Sequence, residues 1–226
     1  MKRDCYLIAT IKRWNIENFH KFCNRQQFHL IVSKEQLVKE KIDRLKPRYI
    51  FFPHWSWVIP KNILSSYECV MFHMTDLPYG RGGSPLQNLI LRNHQTTKIS
   101  AFRVDETIDG GDIYLKKNLS LKGNAKEIYS RASKIIFNNM IPLIVSQDQK
   151  PAKQKGSVVY FKRKKPKDGN LFSLTTLEKV YDHIRMLDAE DYPKAFLENK
   201  KLCFNFTKAK LKSKKALTAQ VEITCK

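Results

Sequence analysis

Residues 48–53 read Arg48-Tyr-Ile-Phe-Phe-Pro53, and the strand expected at 68–73 holds the run Cys69-Val-Met-Phe72 followed by His73. Neither run alternates apolar with polar residues. A strand that is apolar on both faces is one that is covered on both faces, as in parallel sheets. Outward from this pair, further strands are expected at 5–10, 28–33 and 98–104, and 112–119 leads out of an acidic turn. Helices are expected between them at 15–23 with Asn15 as cap, 34–45 with Ser33 as cap, 61–66, 84–92, and 124–146 with a break near Pro142. This alternation with short connections predicts an α/β fold, a Rossmann-like, doubly wound and mostly parallel sheet.

Residues 1–147 are read as one catalytic-type domain. The polar stretch 148–156 contains Pro151 and marks an expected boundary. Residues 148–226 read as a small α+β or barrel-like carboxyl-terminal appendage. Its strand-like pieces are at 157–161, 202–206 and 219–224, around a helix at 175–187.

At 226 residues, with 42% hydrophobic and 28% charged residues, the chain suits one substantial core plus a small appendage. No run reaches the ~20 apolar residues of a membrane span, and the first apolar run is too brief for a signal segment. The five cysteines (Cys5, Cys23, Cys69, Cys203, Cys225) show no Cys-x-x-Cys spacing. That argues against a metal site and for reduced thiols in a cytoplasm. The net charge of +21 is the one extreme value and favours an anionic partner. Lysines cluster at 162–167 and at 208–215 but mostly lack the interleaved aromatics of a single-strand nucleic-acid groove.

The chemistry is concentrated beyond His73. The stretch Met74-Thr-Asp-Leu-Pro-Tyr-Gly-Arg-Gly-Gly-Ser-Pro85 is too rich in Gly and Pro to be a packing element. Gly80, Gly82 and Gly83 allow a ligand close to main chain, and Ser84-Pro85 reads as the N-cap and first position of a helix. In open α/β sheets, ligands lie at the carboxyl ends of strands, where His73 falls. Asp109 lies in a second turn, Thr107-Ile-Asp-Gly-Gly-Asp112, that could fold back to meet it. A His oriented by an Asp is the minimal apparatus for moving a proton during group transfer. The segment His54-Trp-Ser-Trp-Val-Ile-Pro60 is either core or the wall of a slot for a flat heteroaromatic ligand.

Taken in order, these motifs resemble the catalytic domain of folate-dependent formyltransferases, a family with methionyl-tRNA, glycinamide ribonucleotide and sugar members. The matching residues are Tyr49-Ile-Phe-Phe-Pro, Val58-Ile-Pro, His73…Leu77-Pro…Arg81-Gly…Pro85-Leu-Gln87, and Asp109-Gly-Gly-Asp-Ile113. Residues 161–169 and 184–196 are similar to the short carboxyl-terminal region of sugar and tRNA members. The resemblance implies N10-formyltetrahydrofolate as formyl donor and a primary amine as acceptor. His73 and Asp109 would be catalytic. Trp55, Ser56, Trp57, Ile59, Asp105, Thr107 and Ile108 would border the donor, much of that contact through main chain. Thr75, Asp76, Arg81 and Gly82 would face the acceptor. A homodimer is a further implication.

One departure stands out: where the family carries an oxyanion-stabilising Asn two residues before the His, this chain has Met71. Losing one such donor costs about 10²–10³ in turnover. Protonated His73, a backbone N–H near residues 80–83, or Thr75 is expected to substitute. The compact carboxyl-terminal region favours a nucleotide-linked amino sugar as acceptor, in glycan assembly and including nonulosonate-type precursors. The alternative is methionyl-tRNA, supported by the charge. A further alternative is a folate- or nucleotide-binding protein whose catalysis is impaired by Met71.

Overall fold

A computed structural model describes residues 4–22, 27–147 and 150–226. The chain forms two compact units that interleave along the sequence. The first contains residues 1–81, 97–119 and 130–160, and the second residues 82–96, 120–129 and 161–226.

The first unit is built on a six-stranded sheet. Its strands are β1 (Tyr6–Ala9), β2 (Phe28–Ile31), β3 (Tyr49–Pro53), β4 (Cys69–His73), β6 (Thr96–Arg103) and β7 (Ile113–Ser120), in the order β2-β1-β3-β4-β6-β7. The neighbours from β2 to β4 are parallel, and β6 runs antiparallel to β4. The mostly parallel Rossmann-like sheet therefore holds. The two unalternating runs are its centre: β3 is buried along its whole length, with Phe51 and Phe52 fully enclosed. Burying each such ring stabilises the fold by about 1.5–3 kcal/mol.

Several helix boundaries differ from expectation for identifiable reasons. Helix α1 begins at Arg13, so Asn15 is not its cap. The buried Asn15 amide instead donates to Thr10 Oγ1 (3.0 Å) and the Pro53 carbonyl (3.1 Å), tying the ends of β1 and β3. Its expected end at Cys23 lies outside the described residues. The 34–45 helix is split into a 3₁₀ turn (Lys34–Gln36) and α2 (Lys39–Leu45), and Ser33 makes no capping bond. Leu37, between them, turns into the core. Helix α3 is short (Lys61–Leu64).

The long helix is α5 (Ala125–Ile135), a wide π turn (Ile136–Met140) and α6 (Ile141–Gln147). Pro142 has no N–H to donate, and its ring crowds the preceding turn. The chain widens there, with the Ile141 N–H reaching back to the Ile136 carbonyl. A capping box starts α5: Asn124 Oδ1 accepts from the Glu127 N–H (3.0 Å) and Glu127 Oε2 from the Asn124 N–H (2.9 Å).

The Gly-rich stretch is more than a loop, since Tyr79–Gly82 forms a short strand, β5, paired with β8 (Val159–Phe161). In the second unit, helices α4 (Pro85–Leu91) and α7 (Leu177–Leu187) accompany a three-stranded antiparallel sheet. The strands are β9 (Ala195–Glu198), β10 (Leu202–Ser213) and β11 (Ala216–Cys225). Beta 10 and β11 make one long hairpin whose turn end carries Lys208, Lys210, Lys212, Lys214 and Lys215, all exposed. Gln87 is buried in this unit, donating to the Met186 carbonyl (3.0 Å) and Tyr129 hydroxyl (3.3 Å).

Among the described residues Cys5, Cys69, Cys203 and Cys225 are free thiols, and Cys23 lies outside them. No helix among the described residues is long and apolar enough to cross a membrane.

Candidate active site

The last residue of β4 is His73, whose neighbour on β6 is Ser100. Its ring is buried, and Nε2 lies 2.8 Å from the Gly80 carbonyl oxygen. A carbonyl only accepts, so Nε2 carries the proton and Nδ1 is the nitrogen free to exchange one. Gly80 can turn its carbonyl back because its φ is +79°, a region open to glycine. The Thr75 hydroxyl, fully buried, also points at this carbonyl (3.4 Å). Ser100 fixes the bend between them, donating to the Thr75 carbonyl (2.7 Å) and accepting from the Leu77 N–H (3.2 Å).

The second turn does fold back to meet the first. Asp109 Oδ2 lies 3.7 Å from His73 Nδ1, with only 13% of the Asp109 side chain exposed. Asp109 itself adopts φ +49°, a left-handed conformation that Asp tolerates better than most residues. The turn is closed by Gly110 N–H to the Thr107 carbonyl (3.0 Å) and by Asp105 Oδ1 accepting from the Thr107 N–H (2.8 Å). Glycine is required at 111, where a Cβ would stand 1.7 Å from the Arg103 carbonyl oxygen.

The remaining expected residues have varied placements. Arg81 is buried, its Nε and Nη2 donating to Gln154 Oε1 at 3.2 and 2.8 Å. Asp76 is paired with Lys116 (2.6 Å) and Lys98 (3.0 Å). Partial burial pushes its carboxyl up, but the two lysine hydrogen bonds outweigh that and hold it below the usual carboxylate range. Gly82 ends β5.

Trp55 and Ile59 are core side chains, packed with Phe52, Ile63 and Leu37. The Trp55 indole N–H is buried and has no hydrogen-bond partner among the described residues. Ser56, Trp57, Asp105, Thr107 and Ile108 are exposed. A Lys61–Glu106 ion pair (3.7 Å) brings the 105–108 turn beside the start of α3, next to the 57–60 segment. Met71 is on the His73 face of β4, half-buried against the Trp55 core with Val104. Directly before that segment, burial and the nearby Lys12 push the His54 imidazole down to about 4, so it is neutral at ordinary pH.

Sequence reasoning missed Gln154. Its side chain takes both Arg81 hydrogen bonds and donates to the carbonyls of Asp109 (2.8 Å) and Gly111 (2.9 Å). No local pattern marks it, because its partners come from two distant turns.

A buried imidazole whose Nε2 is held by a carbonyl and a carboxylate 3.7 Å from its Nδ1 are the groups that acid–base group transfer calls for. Residues 14–155 match the family model described as formyl transferase, and residues 166–224 the one described as methionyl-tRNA formyltransferase, C-terminal domain. The chain belongs to the formyl transferase family.

A solved methionyl-tRNA formyltransferase from Clostridium thermocellum is 48% identical, with 99% of this chain and 100% of that one covered at a TM-score of 0.95. A methionyl-tRNA formyltransferase of Wolbachia pipientis is 28% identical, covering 75% of this chain and 57% of that protein. The chain thus spans little more than half the length of such curated relatives. A 4-N formyltransferase from Francisella tularensis is 16% identical over 87% of this chain and 93% of that one, at a TM-score of 0.65, and shares the fold alone.

These similarities overturn the nucleotide-linked amino sugar as acceptor, and with it the assignment to glycan assembly. That expectation rested on the compact carboxyl-terminal region. The Clostridium thermocellum protein, named for methionyl-tRNA, matches that region over its whole length, so compactness does not argue against a tRNA.

Proposed function

We propose that this chain transfers a formyl group from N10-formyltetrahydrofolate to the α-amino group of methionyl-tRNA. The observation that carries the reading is the end-to-end similarity to the Clostridium thermocellum methionyl-tRNA formyltransferase, 48% identical with both chains covered. The donor's chemistry is an activated formyl carbon on N10. The exposed Trp57 and Ile108 are the features on this chain that suit a flat donor.

In the proposed reaction His73 accepts, at Nδ1, the proton the amine loses as its nitrogen bonds to the formyl carbon. Asp109, 3.7 Å away, stabilises the imidazolium that results. His73 then returns that proton to N10 as the carbon–N10 bond breaks, leaving N-formylmethionyl-tRNA and tetrahydrofolate. Of the three substitutes for the missing Asn, Thr75 Oγ1 faces the Gly80 carbonyl and the Gly83 N–H is bonded to the Phe161 carbonyl (3.1 Å). The His73 imidazolium is the substitute this reading retains. The exposed lysines of the β10–β11 hairpin supply phosphate contacts for the tRNA. With that acceptor, the proposed reaction is a cytoplasmic one.

The test is incubation with N10-formyltetrahydrofolate and methionyl-tRNA, read by mass spectrometry of the released amino acid. Formyl gain on methionine is expected. Its absence, with a bona fide methionyl-tRNA formyltransferase active in parallel, would overturn the reading. Replacing Lys210 or Lys212 by Ala should reduce the slope of log affinity against log salt by about 0.7–0.9 per residue.

A further inference from the structure

Residues 150–156 form a strap across the acidic turn. Ala152 and Ile113 exchange two backbone hydrogen bonds (2.7 and 2.9 Å), pinning the strap to the start of β7. Farther along, the Val159 N–H reaches the Pro78 carbonyl (3.3 Å). Between these anchors Gln154 projects into the gap between the two catalytic turns.

Its amide is fully used. Oε1 accepts from Arg81 Nε and Nη2, and Nε2 donates to the Asp109 and Gly111 carbonyls. Arg81 directly follows Gly80, whose carbonyl holds His73 Nε2. Gln154 therefore links the turn that carries Asp109 to the segment that orients His73. No other side chain of this length both accepts from a guanidinium and donates to two carbonyls. Glu has no donors at neutral pH, and Lys has no acceptor.

The geometry points to Gln154 as the positioning residue that sets the His73–Asp109 separation, so that it governs turnover rather than substrate affinity. This rests on the proton-transfer roles proposed above for that pair. The gap of 3.7 Å is at the limit of a useful interaction, and a displacement of about 1 Å at such a pair costs on the order of 100-fold in rate.

The experiment compares Gln154→Ala and Gln154→Glu in the wild-type and Asp109→Asn backgrounds, with thermal melting to confirm folding. Gln154→Ala should lower kcat about 100-fold with KM for both substrates within about twofold, and cost less than about twofold in the Asp109→Asn background. Gln154→Glu keeps the size and the Arg81 contact but puts a carboxylate against two carbonyls. It should not rescue the rate. Equal losses in both backgrounds, or wild-type turnover in Gln154→Glu, would mean that the residue only fills space and would overturn the proposal.

The same cycle can be read on the ¹⁵N shifts of the His73 ring in ligand-free protein, which requires no reaction. There Asp109→Asn should move the His73 signal in the wild type and leave it nearly unmoved in Gln154→Ala. This readout holds or fails whether or not methionyl-tRNA is the acceptor.

Discussion

Two segments make opposite use of their composition. Residues 54–60 carry two tryptophans and look made for a flat ligand, while residues 150–156 are polar and look like a linker. In the folded chain Trp55 and Ile59 of the first are core, while Ser56, Trp57, Val58 and Pro60 are left toward solvent. The second is pinned across the acidic turn, and its Gln154 is bonded to both halves of the site. Large apolar side chains gain most by leaving water, so a parallel sheet draws them in wherever it has room. A short amide gains little from burial, but four directed hydrogen bonds make it useful where two turns need a fixed spacing. Bulk therefore marks stability here, and polarity marks geometry.

That contrast can be broken by substitution. Trp55→Ala should destabilise the fold by about 3–5 kcal/mol, read as a lower urea midpoint. A variant with unchanged stability but lost donor binding would assign Trp55 to the slot and erase the distinction. His73→Asn should lower formyl transfer by about 10²–10⁴-fold with melting unchanged. Retained turnover would remove the strap-held pair from the chemistry.

Met71→Asn sharpens the comparison from the other side, since it adds an amide on the His73 face of β4. A rise of about tenfold in kcat is expected if an oxyanion donor is limiting, below the full 10²–10³ because the core around Met71 must readjust. A fall would mean that its packing matters more than the absent donor.

The last prediction concerns His54, at the head of the aromatic segment. Its pKa is depressed to about 4 in the fold, against 6.5 as the reference value, so the unfolded chain binds the proton first. Its contribution to stability is complete above about pH 6.5 and declines as pH falls toward 4. His54→Gln should flatten the dependence of unfolding free energy on pH in that window. An unchanged slope would mean that the imidazole is solvated.

Much of the site was legible because its parts are local. The strand end that presents His73, the glycine at 80 with its positive φ, and the Asp109 turn are each readable within a dozen residues. The acceptor was not legible from the size of the carboxyl-terminal region, because a compact region serves a named methionyl-tRNA enzyme as well. Charge in sequence does not say which partner a side chain will find within the chain. Arg81 found Gln154 and Asp76 found two lysines.

By itself the sequence determined the mostly parallel sheet and the two turns that carry the imidazole and the carboxylate. Periodicity and backbone freedom are properties of neighbouring residues, and these features depend on nothing else. Only the tertiary structure decided that the turns stand 3.7 Å apart, that Trp55 belongs to the core, and that Gln154 joins Arg81 to Asp109. Those outcomes depend on which distant groups arrive together, and packing and hydrogen-bond satisfaction over the whole unit settle that.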